Sequence, residues 1–396
     1  MTTFLEVLLG ATSSLVLIAA AVLFAEVLFA TCTPRAAKVP RHNQRPRMAI
    51  LMPAHDEVAG IAATLRSLIP QLLPTDRLVV IADNCSDKTA EVAVSEGAEV
   101  ISRTDSTRRG KGYALDFGLR HLGGDAPEIV VIIDADCNAE PGSVDCLVRT
   151  CARTGAPVQA LYLMRAQENG GLRARIAEFA WIVRNQVRPL GLRRVGLPCQ
   201  LMGTGMAFPW ACLNAVELAS GHIVEDLKLG IDLALAGQPP VFCPEALVTS
   251  QFPCSDSALK GQRTRWEHGH LGIILSEVPR LLAKSLTSLN ASLLAMALDL
   301  SVPPLALLAL LVLALSGANA VFFWVARVWL PLGLTATAAV LLAISVALSW
   351  SVFARGIISL RSLAAAPVYA LWKFPLYLKF LTARQSDWIR SKRDGS

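Results

Sequence analysis

Two kinds of hydrophobic pattern divide the chain. Apolar residues form long, nearly unbroken runs over residues 4–32 and 286–382, whereas short apolar runs alternate with polar segments between them. A bilayer core requires about 20 consecutive apolar residues, and residues 4–30 reach that length although Glu6 and Glu26 interrupt them. The pattern therefore predicts membrane segments at both ends of the chain and a globular domain in the middle.

The middle of the chain alternates strand and helix patterns. The strand-like runs "MAILMPAHDE", "RLVVIADNCSD" and "EIVVIIDADCN" are separated by the helix-like runs "GIAATLRSLIPQLL" and "YALDFGLRHLG". This alternation is typical of an α/β domain with a mostly parallel sheet, and ligands bind such sheets outside the carboxyl ends of the strands. Polar residues follow the three strands at 53–57, 82–87 and 134–138, so we expect three acidic strand ends to converge on one crevice.

The C-terminal apolar region predicts two spans, near residues 289–316 and 329–353, the first kinked at Pro303 and Pro304. The next run, "AAAPVYALWKFPLYLKFL", carries two prolines and two lysines, which favours an interfacial helix over a third span. We therefore predict three parts: an N-terminal transmembrane helix over residues 1–33, a cytoplasmic domain over 45–285, and a membrane region over 286–396 that ends in a basic tail.

Composition and charge place the globular domain on one side of the membrane. Hydrophobic residues make up 53% of the 396 residues and the mean hydropathy is +0.47, which exceeds the range of ordinary soluble enzymes. Basic residues follow the first apolar run directly: Arg35, Lys38, Arg41, Arg45 and Arg47. The positive-inside bias then predicts an integral protein of a bacterial inner membrane with a cytoplasmic domain. A solvated basic linker is the alternative interpretation of this run.

Charge and cysteine usage exclude some classes of function. The net charge of +6 is modest, and no segment interleaves basic with aromatic residues as nucleic-acid-binding proteins do. The nine cysteines form no CxxC pair and no Cys/His metal spacing. We therefore expect no nucleic-acid partner, and we expect the cysteines to be reduced thiols that fill apolar space.

An arginine-rich run at residues 172–194, "LRARIAEFAWIVRNQVRPLGLRR", has an amphipathic pattern. A helix that rests on anionic lipid headgroups fits this composition. A site for a diphosphate or an acidic polymer is the alternative.

Two aspartates one residue apart, Asp134 and Asp136, follow a buried strand pattern. Side chains two residues apart in a strand share one face, and two close carboxylates repel unless a cation or a proton lies between them. A divalent cation that bridges carboxylate and phosphate oxygens meets this need, and Mg²⁺ and Mn²⁺ prefer such ligands. An Asx turn at the end of the strand is the simpler alternative.

Seven motifs in fixed order resemble one known family. They are "PAHDE" at 53–57, "ADNCSDKT" at 82–89, "GKGYAL" at 110–115, "DAD" at 134–136, "GTGMAF" at 203–208, "VEDLKLG" at 224–230 and "QRTRW" at 262–266. In this order the chain resembles the membrane-anchored, inverting family 2 glycosyltransferases, the group of the hyaluronan, cellulose and chitin-oligosaccharide synthases. The resemblance implies a Rossmann-like GT-A fold for the cytoplasmic domain, flanked by transmembrane and interfacial helices.

The resemblance also implies residues that bind the nucleotide-sugar donor: Pro53, His55, Glu57, Asp83, Lys111, Asp134, Gln262 and Arg265. Asp83 matches the residue that reads the base, typically uracil, and Asp134 with Asp136 matches the pair that holds the metal and diphosphate. The chain departs from the usual pattern in three places, with His55, Asp56 and Ala82 where tyrosine, asparagine and aspartate are common. These departures leave the identity of the base open.

For the acceptor side, the resemblance implies that Asp226 is the general base and that Gly203, Thr204, Gly205 and Trp266 contact the acceptor. Acidic residues also favour the first turn of a helix, which is the structural alternative for Glu225 and Asp226. The "QRTRW" helix has an alternative as well, an amphipathic helix at the membrane surface with tryptophan in the interfacial belt.

The sequence therefore predicts a membrane-embedded inverting hexosyltransferase that moves a sugar from a nucleotide-sugar, by resemblance a UDP-sugar, to a growing polysaccharide or oligosaccharide. A glycolipid-forming enzyme with a lipid acceptor is one alternative, and an inactive nucleotide-sugar sensor in a secretion complex is another. Membrane lipids are expected partners, and export subunits or a homo-oligomer are open.

Overall fold

The structure, a computed structural model, describes residues 2–31, 45–167, 170–213, 216–219, 224–253 and 256–382. Within these ranges the chain forms two compact units. The sheet unit comprises residues 45–165 and 197–269, and the helical unit comprises residues 2–31, 166–196 and 270–382. Residues 166–196, which lie inside the predicted domain over 45–285, group with the helices.

One eight-stranded sheet with the order β3-β2-β1-β4-β7-β6-β8-β5 forms the sheet unit. The strands are β1 (Met48–Ala54), β2 (Arg77–Asp83), β3 (Glu99–Arg103), β4 (Ile129–Ile132), β5 (Asn138–Ala139), β6 (Val158–Arg165), β7 (Met206–Pro209) and β8 (Val241–Gln251). Strands β1 to β4 are parallel to one another, as are β6 and β8. Strand β7 runs antiparallel to β4 and β6. The predicted mostly parallel α/β sheet is confirmed.

Fifteen helices accompany the sheet in the described part of the chain. They are α1 (Thr2–Thr31), α2 (Ile61–Leu68), α3 (Thr89–Ser95), α4 (Lys111–Leu122), α5 (Ser143–Thr154), α6 (Leu172–Ile182), α7 (Arg188–Arg194), α8 (Trp210–Leu213), α9 (Glu225–Leu235), α10 (Asp256–Ser288), α11 (Ala291–Ser301), α12 (Leu305–Ala326), α13 (Leu330–Ser349), α14 (Leu360–Leu363) and α15 (Ala366–Thr382). A π-helical turn, Val183–Val187, joins α6 to α7.

Helix α4, whose first residue Lys111 is a predicted site residue, packs closely on the sheet. Gly118 faces the sheet, and a Cβ atom there would lie 2.6 Å from Ile81 Cδ1 and 3.0 Å from Leu51 Cδ2. The helix therefore approaches β1 and β2 more closely than a side chain at this position would allow. Its first residue, Lys111, begins the helix directly after Gly110, at the polar carboxyl end of the parallel strands.

Three helices in the described residues are long and apolar enough to cross a membrane: Thr2–Thr31, Leu305–Ala326 and Leu330–Ala354. The prediction of one kinked span over residues 289–316 is wrong, because α11 ends at Ser301 and α12 begins only at Leu305. Pro303 and Pro304 have no backbone N–H to donate, so they separate two helices rather than bend one.

Buried polar groups join the helices of the helical unit. Arg188 at the start of α7 donates to Glu26 of α1 at 2.7 Å and to Asp299 of α11 at 2.7 Å, and all three residues are buried. The amide of Asn319 in α12 donates to Ser13 Oγ of α1 at 2.9 Å and to Pro331 O of α13 at 3.0 Å. Since Arg188 is enclosed by acids, it is not one of the headgroup-facing arginines that the 172–194 pattern predicted.

Two of the basic residues that follow α1 pair with acids of the sheet unit. Arg45 forms a buried ion pair with Asp76, and Arg47 lies 2.8 Å from Asp125. These two arginines therefore fasten the chain at the start of β1. Arg35, Lys38, Arg41 and the basic tail lie outside the described residues.

Candidate active site

The carboxyl ends of β1 and β2 are joined by a hydrogen bond between two residues that the sequence pattern singled out. His55 follows β1, and its Nδ1 lies 2.6 Å from the carbonyl oxygen of Asp83 at the end of β2. The Asp83 carboxylate accepts hydrogen bonds from Arg103 at 2.6 Å and from Asn84 Nδ2 at 3.0 Å. Pro53 is the sixth residue of β1 and is half-buried. His55 and Asp83 thus line one edge of the sheet beside Arg103, a residue that the motifs did not include.

The loop after His55 has its own network. Asp56 adopts a positive φ of 52° and accepts hydrogen bonds from Ser86 N at 2.6 Å and Asp87 N at 3.2 Å. Burial opposes ionisation of Asp56, but these hydrogen bonds outweigh it and hold its pKa below the ordinary value. The backbone N–H of Glu57 donates to Thr89 Oγ1 at 2.7 Å. The carboxylate of Asp56 therefore fixes the loop that carries the predicted donor residues.

The paired aspartates lie in a turn and not in a strand. Strand β4 ends at Ile132, and Cys137 N donates to Asp134 O at 3.1 Å across the turn. The expectation that strand alternation places Asp134 and Asp136 on one face is therefore wrong in its cause. Their carboxylates still converge, since ligand atoms of Asp134, Asp136 and Cys137 lie within 4.8 Å of one another.

This carboxylate pair fits a hard divalent cation. Asp134 and Asp136 are both half-buried and offer oxygen ligands of the kind that Mg²⁺ and Mn²⁺ prefer. Cys137 is fully buried, and burial with the two neighbouring carboxylates raises the pKa of its thiol, so this sulfur keeps its proton and remains a poor ligand. Asp134 and Asp136 would therefore hold the ion.

Lys111 links the aspartate turn to the next loop. Its Nζ forms an ion pair with the Asp134 carboxylate and donates to the carbonyl oxygen of Gly203 at 2.7 Å. Burial by itself would lower the pKa of Lys111, but the carboxylates of Asp134, Glu225 and Asp226 raise it above the ordinary value. Lys111 is therefore a fixed positive charge among acids and not a solvated lysine before a helix.

The glycines of "GTGMAF" allow the loop that carries them to lie close to the carboxylate of Asp226. Gly203 has a φ of +92°, and a Cβ atom there would lie 3.3 Å from Asp226 Oδ2 and 4.0 Å from Lys111 Nζ. Gly205 has a φ of +64°, and its Cβ atom would lie 2.9 Å from Ala160 Cβ. Both positions require the left-handed conformation that glycine adopts without strain.

Thr204, between the two glycines, is fully buried. Its hydroxyl accepts a hydrogen bond from the backbone N–H of Asp134 at 3.0 Å. The buried hydroxyl of Thr204 therefore positions Asp134, and the predicted acceptor contact of Thr204 stays a prediction. Acceptor contact by Gly203 and Gly205 stays a prediction.

Gln159 of β6 supports this loop and was missed in the sequence. It is fully buried; its Nε2 donates to Thr204 O at 2.9 Å and its Oε1 accepts from Met202 N at 2.7 Å. The signal in the sequence is a glutamine inside the apolar strand run "VQALYLM". A buried amide needs partners, and here the partners are the backbone of the active-site loop.

Glu225 and Asp226 open helix α9 beside a cavity of about 210 Å³. Lys111, Glu225 and Asp226 line this cavity together with Lys228, whose Nζ pairs with Asp232. Burial first, and then the charge of Asp226, raises the pKa of Glu225 to about 7. The cavity thus brings four acidic residues and two lysines to a space that a small polar ligand can enter.

The "QRTRW" motif lies on α10, and Gln262, Arg265 and Trp266 are each half-buried. One turn further, Gly269 packs on Val224, with a Cβ atom there only 2.6 Å from Val224 Cγ1. Because Val224 stands two residues before Asp226, this contact brings α10 against the start of α9. The proposed contacts of Gln262, Arg265 and Trp266 with donor or acceptor stay predictions.

The predicted site residues described above form one connected group. Some of them contact one another directly, and others lie on neighbouring loops and strand ends. Lys111, Asp134, Gly203 and Asp226 meet directly, and Thr204 supports them from beneath the loop. Asp136 joins through the aspartate turn. Pro53, His55, Glu57 and Asp83 mark the neighbouring strand ends, and Arg103 and Gln159 are the additions that the structure makes.

A family model described as "Glycosyltransferase like family 2" matches residues 46–269. A probable glycosyltransferase, YdaM of Bacillus subtilis, is 28% identical over 265 residues, which cover 59% of this chain and 58% of that protein. A probable glucomannan 4-beta-mannosyltransferase of Arabidopsis thaliana is 24% identical over 264 residues, or 58% of this chain and 44% of that protein. The chain thus spans about half the length of these curated relatives.

A solved structure shares the fold over nearly the whole chain. The mannosyltransferase PcManGT of Pyrobaculum calidifontis, in complex with GDP-mannose and Mn²⁺, matches with a TM-score of 0.54 and 19% sequence identity. The match covers 95% of this chain and 100% of that one. At this identity the likeness establishes the fold, and the sheet described above is accordingly of the GT-A type.

Proposed function

Because this chain belongs to the glycosyltransferase-like family 2, we propose that it is a membrane-embedded, inverting enzyme that transfers a hexosyl group from a nucleotide-sugar to a glycan. The observation that carries the proposal is the cluster in which Lys111 bonds both the Asp134 carboxylate and Gly203 O, with the Asp226 carboxylate at the same glycine. Such a cluster joins groups for the leaving diphosphate and for the attacking hydroxyl.

Asp226 is the proposed general base. Inversion requires an acceptor hydroxyl to attack the anomeric carbon while the nucleoside diphosphate leaves from the opposite side, and a carboxylate must take the hydroxyl proton. Asp226 borders the 210 Å³ cavity, and a Cβ atom at Gly203 would lie 3.3 Å from its Oδ2. Burial raises the pKa of the neighbouring Glu225 to about 7, and Asp226 is the one of the two acids that the motif resemblance matches to the general base.

Asp134, Asp136 and Lys111 are proposed to hold the diphosphate. A divalent cation bound by the two aspartates would neutralise charge that develops on the leaving group, and PcManGT contains Mn²⁺. Lys111 supplies a second, permanent positive charge at the same place. Arg265 on α10 adds a planar cation suited to phosphate oxygens.

The nucleoside is proposed to lie at the ends of β1 and β2. The buried Asp83 can accept an N–H of a base, and Arg103, held by Asp83 at 2.6 Å, can donate to a base carbonyl. Uracil and guanine both carry this pair of groups. We propose a UDP-sugar on the resemblance of the motifs, and the GDP-mannose in PcManGT makes GDP-mannose the first donor to compare with it.

The acceptor is proposed to be a growing polysaccharide or oligosaccharide at the cytoplasmic face of a bacterial inner membrane. Three helices long and apolar enough to cross a bilayer support membrane embedding, and the name of the Arabidopsis relative supports a glycan product. Trp266 offers a flat apolar surface for stacking on a sugar ring. Export subunits or a second copy of the chain are compatible partners.

Release of nucleoside diphosphate tests the proposal. The protein in detergent is supplied with UDP-glucose, other UDP-hexoses or GDP-mannose, Mn²⁺ and membrane extract as a source of acceptor, and diphosphate release is measured for wild type and Asp226→Asn. We expect release with one donor and a loss on the order of 10²–10⁴-fold in the variant. Asp116→Asn is the matched control, because Asp116 pairs with Arg120 of the same helix, α4, and is not one of the predicted site residues.

Equal release by wild type and Asp226→Asn would remove Asp226 from the reaction. Absence of release with every donor, in protein whose intrinsic fluorescence changes on nucleotide binding, would favour the sensor alternative. Label from a radioactive donor should remain in aqueous polymer. Label in the organic phase would replace the glycan acceptor with a lipid.

A further inference from the structure

A second group of potential ligands lies on the sheet unit, between α5 and β8. It consists of Cys146 on α5 and of Cys243 and Glu245 on β8. The two cysteines are 97 residues apart in sequence, yet their sulfur atoms lie 3.5 Å apart. The chain has no CxxC or Cys/His metal spacing, so the fold alone brings these two cysteines together.

The distances within this group match those around a tetrahedral zinc ion. Cys243 Sγ lies 3.6 Å from Glu245 Oε2, and ligand atoms of the three residues all lie within 4.8 Å of one another. Zinc binds sulfur at ~2.3 Å and carboxylate oxygen at ~2.0–2.2 Å, which places tetrahedral neighbours ~3.8 Å apart for two sulfurs and ~3.5 Å apart for sulfur and oxygen. The Cys146–Cys243 and Cys243–Glu245 distances therefore match a tetrahedral ion to within tenths of an ångström.

The frame that carries these residues is firm. Ser143 at the start of α5 accepts a hydrogen bond from Leu247 N at 2.9 Å and donates one to Leu247 O at 3.0 Å. Glu140 N also donates to Leu247 O, at 2.9 Å. Helix α5 is thus fastened to β8 four residues beyond Cys243, which fixes the relative positions of the two sulfurs before any ion binds.

A change of register in β8 presents the third ligand. Cys243 pairs with Ala160 of β6, but Leu247 pairs with the next residue, Leu161. The extra residues 244–246 leave the regular ladder, and Glu245 there is exposed while Cys243 is fully buried. Cys146 is half-buried. The group therefore has one buried anchor and an open side through which an ion and a water ligand can enter.

The chemistry of the donor set selects a borderline or soft cation. Two thiols with one carboxylate favour Zn²⁺ over the Mg²⁺ or Mn²⁺ that suits Asp134 and Asp136. A thiol must lose its proton to bind a metal, so uptake of the cation should release protons.

We propose that Cys146, Cys243 and Glu245 bind one zinc-class divalent cation, with water as the fourth ligand. The ion connects α5 to β8. Strand β8 pairs with β6, and β6 lies next to the loop that contains Gly203 and Gly205. Ala160, the ladder partner of Cys243, donates its N–H to Gly205 O at 2.8 Å, so the ion holds the strand on which that loop rests. The proposed site takes no part in sugar transfer and does not depend on the proposed reaction.

Cobalt binding to the full-length protein in detergent tests the site. Protein is reduced, stripped with chelator and titrated with Co²⁺ under argon, while thiolate-to-cobalt charge-transfer absorption is recorded in the near ultraviolet. We expect one equivalent of Co²⁺ to produce the band, one equivalent of Zn²⁺ to remove it, and Mg²⁺ in excess to leave it unchanged.

Matched variants assign the ligands. Cys146→Ser and Cys243→Ser should abolish the band, and Glu245→Gln should weaken Co²⁺ affinity beyond the ~10–100-fold that loss of an outer-shell partner costs. Cys151→Ala is the control, because Cys151 lies on the same helix but outside the group, and it should retain the band.

Two results would overturn the proposal. One is wild-type protein without a thiolate band at saturating Co²⁺, and the other is a band that persists in both serine variants. A Cys146–Cys243 disulfide in protein isolated under argon would also overturn it in favour of a redox pair. If a serine variant fails to fold, the wild type still decides, because Zn²⁺ but not Mg²⁺ should raise its unfolding temperature.

Discussion

Each compact unit places one basic side chain among carboxylates, but the two clusters are built differently. In the helical unit, Arg188 bonds Glu26 and Asp299 at 2.7 Å each, and every member has less than one tenth of its side chain exposed. In the sheet unit, Lys111 pairs with Asp134, whose side chain is 32% exposed, and Asp226 and Glu225 border a cavity of about 210 Å³.

The difference separates a structural ion cluster from a binding centre. Arg188 of α7 forms ion pairs with acidic residues of α1 and α11, and it so holds the three helices together. Lys111 stands among more carboxylates than it can neutralise, and this excess of negative charge at a cavity favours a further cation. Charge composition alone would not distinguish the clusters, but enclosure and spare acidic groups do.

The largest effect should come from removing the enclosed charge. Arg188→Met leaves two carboxylates buried without their partner, so we expect the free energy of unfolding to fall by about 3–5 kcal/mol. Denaturation in detergent, followed by circular dichroism, measures this loss. Arg280→Met is the control, because Arg280 is exposed and pairs with Glu277 on one helix, and it should cost less than ~1 kcal/mol. Similar losses in both variants would contradict the comparison.

Removal of the Lys111 charge, which lies beside the cavity, should change the rate of sugar transfer rather than the free energy of unfolding. Lys111→Met takes a fixed cation from the proposed diphosphate site, and we expect kcat to fall on the order of 10²–10³-fold, as when a preorganised charge stabiliser is lost. Initial rates of diphosphate release measure it. Arg120→Met, a change to an exposed residue of the same helix, should leave the rate within a factor of about 2. An unchanged rate in Lys111→Met would make this cluster structural as well.

A smaller effect should follow from the support beneath Asp134. Thr204→Val keeps the shape of the side chain but leaves the Asp134 N–H without its acceptor, which costs about 1–3 kcal/mol. We expect a lower unfolding temperature and a higher Mn²⁺ requirement in the transfer assay. Thr204→Ser retains the hydroxyl and should restore both. If Thr204→Val requires no more Mn²⁺ than wild type, the hydroxyl does not position Asp134.

The smallest effect should be a pH dependence from Glu225. Its folded pKa of about 7 exceeds the ordinary value of 4.5, so between these values the folded state binds more protons than the unfolded state and stability falls as pH rises. At the folded pKa, where the Glu225 carboxyl is half ionised, the slope of this loss has fallen to half, and the loss is complete and constant above pH ~8. Glu225→Gln removes this dependence, and we expect the unfolding temperature of wild type relative to the variant to drop by a few degrees from pH ~5 to pH ~8. Parallel curves for the two proteins would contradict the raised pKa.

The sequence predicts the parts of the fold that have strong local patterns. Strands β1, β2 and β4 are buried, mostly apolar runs, and α1 and α13 are long apolar runs, so composition identifies them. Strands β5 and β7 have two and four residues and depend on partners far away in sequence. Their antiparallel pairing cannot be seen in local alternation.

The sequence predicted which residues come together better than it predicted how they are held in place. Motif order singled out Lys111, Asp134 and Asp226, which the structure brings together, but no pattern showed that Thr204 is buried beneath Asp134 or that Gln159 holds the loop. The functional roles of these residues stay predictions. The Cys146–Cys243 contact was likewise invisible, because contacts between distant segments follow from the sheet order and not from spacing. Burial of a polar residue is a tertiary property, and a single sequence reports it only through its apolar neighbours.

The order of the chain has a consequence for biosynthesis. After β6 the polypeptide leaves the sheet for residues 166–196, which belong to the helical unit, and returns to build β7, which pairs with β4 and β6. During translation, the loop beneath Asp134 therefore cannot reach its place until this excursion has emerged from the ribosome. Long-range pairing of this kind is slow, so the nascent protein should complete its candidate active site late, well after α1 has been made.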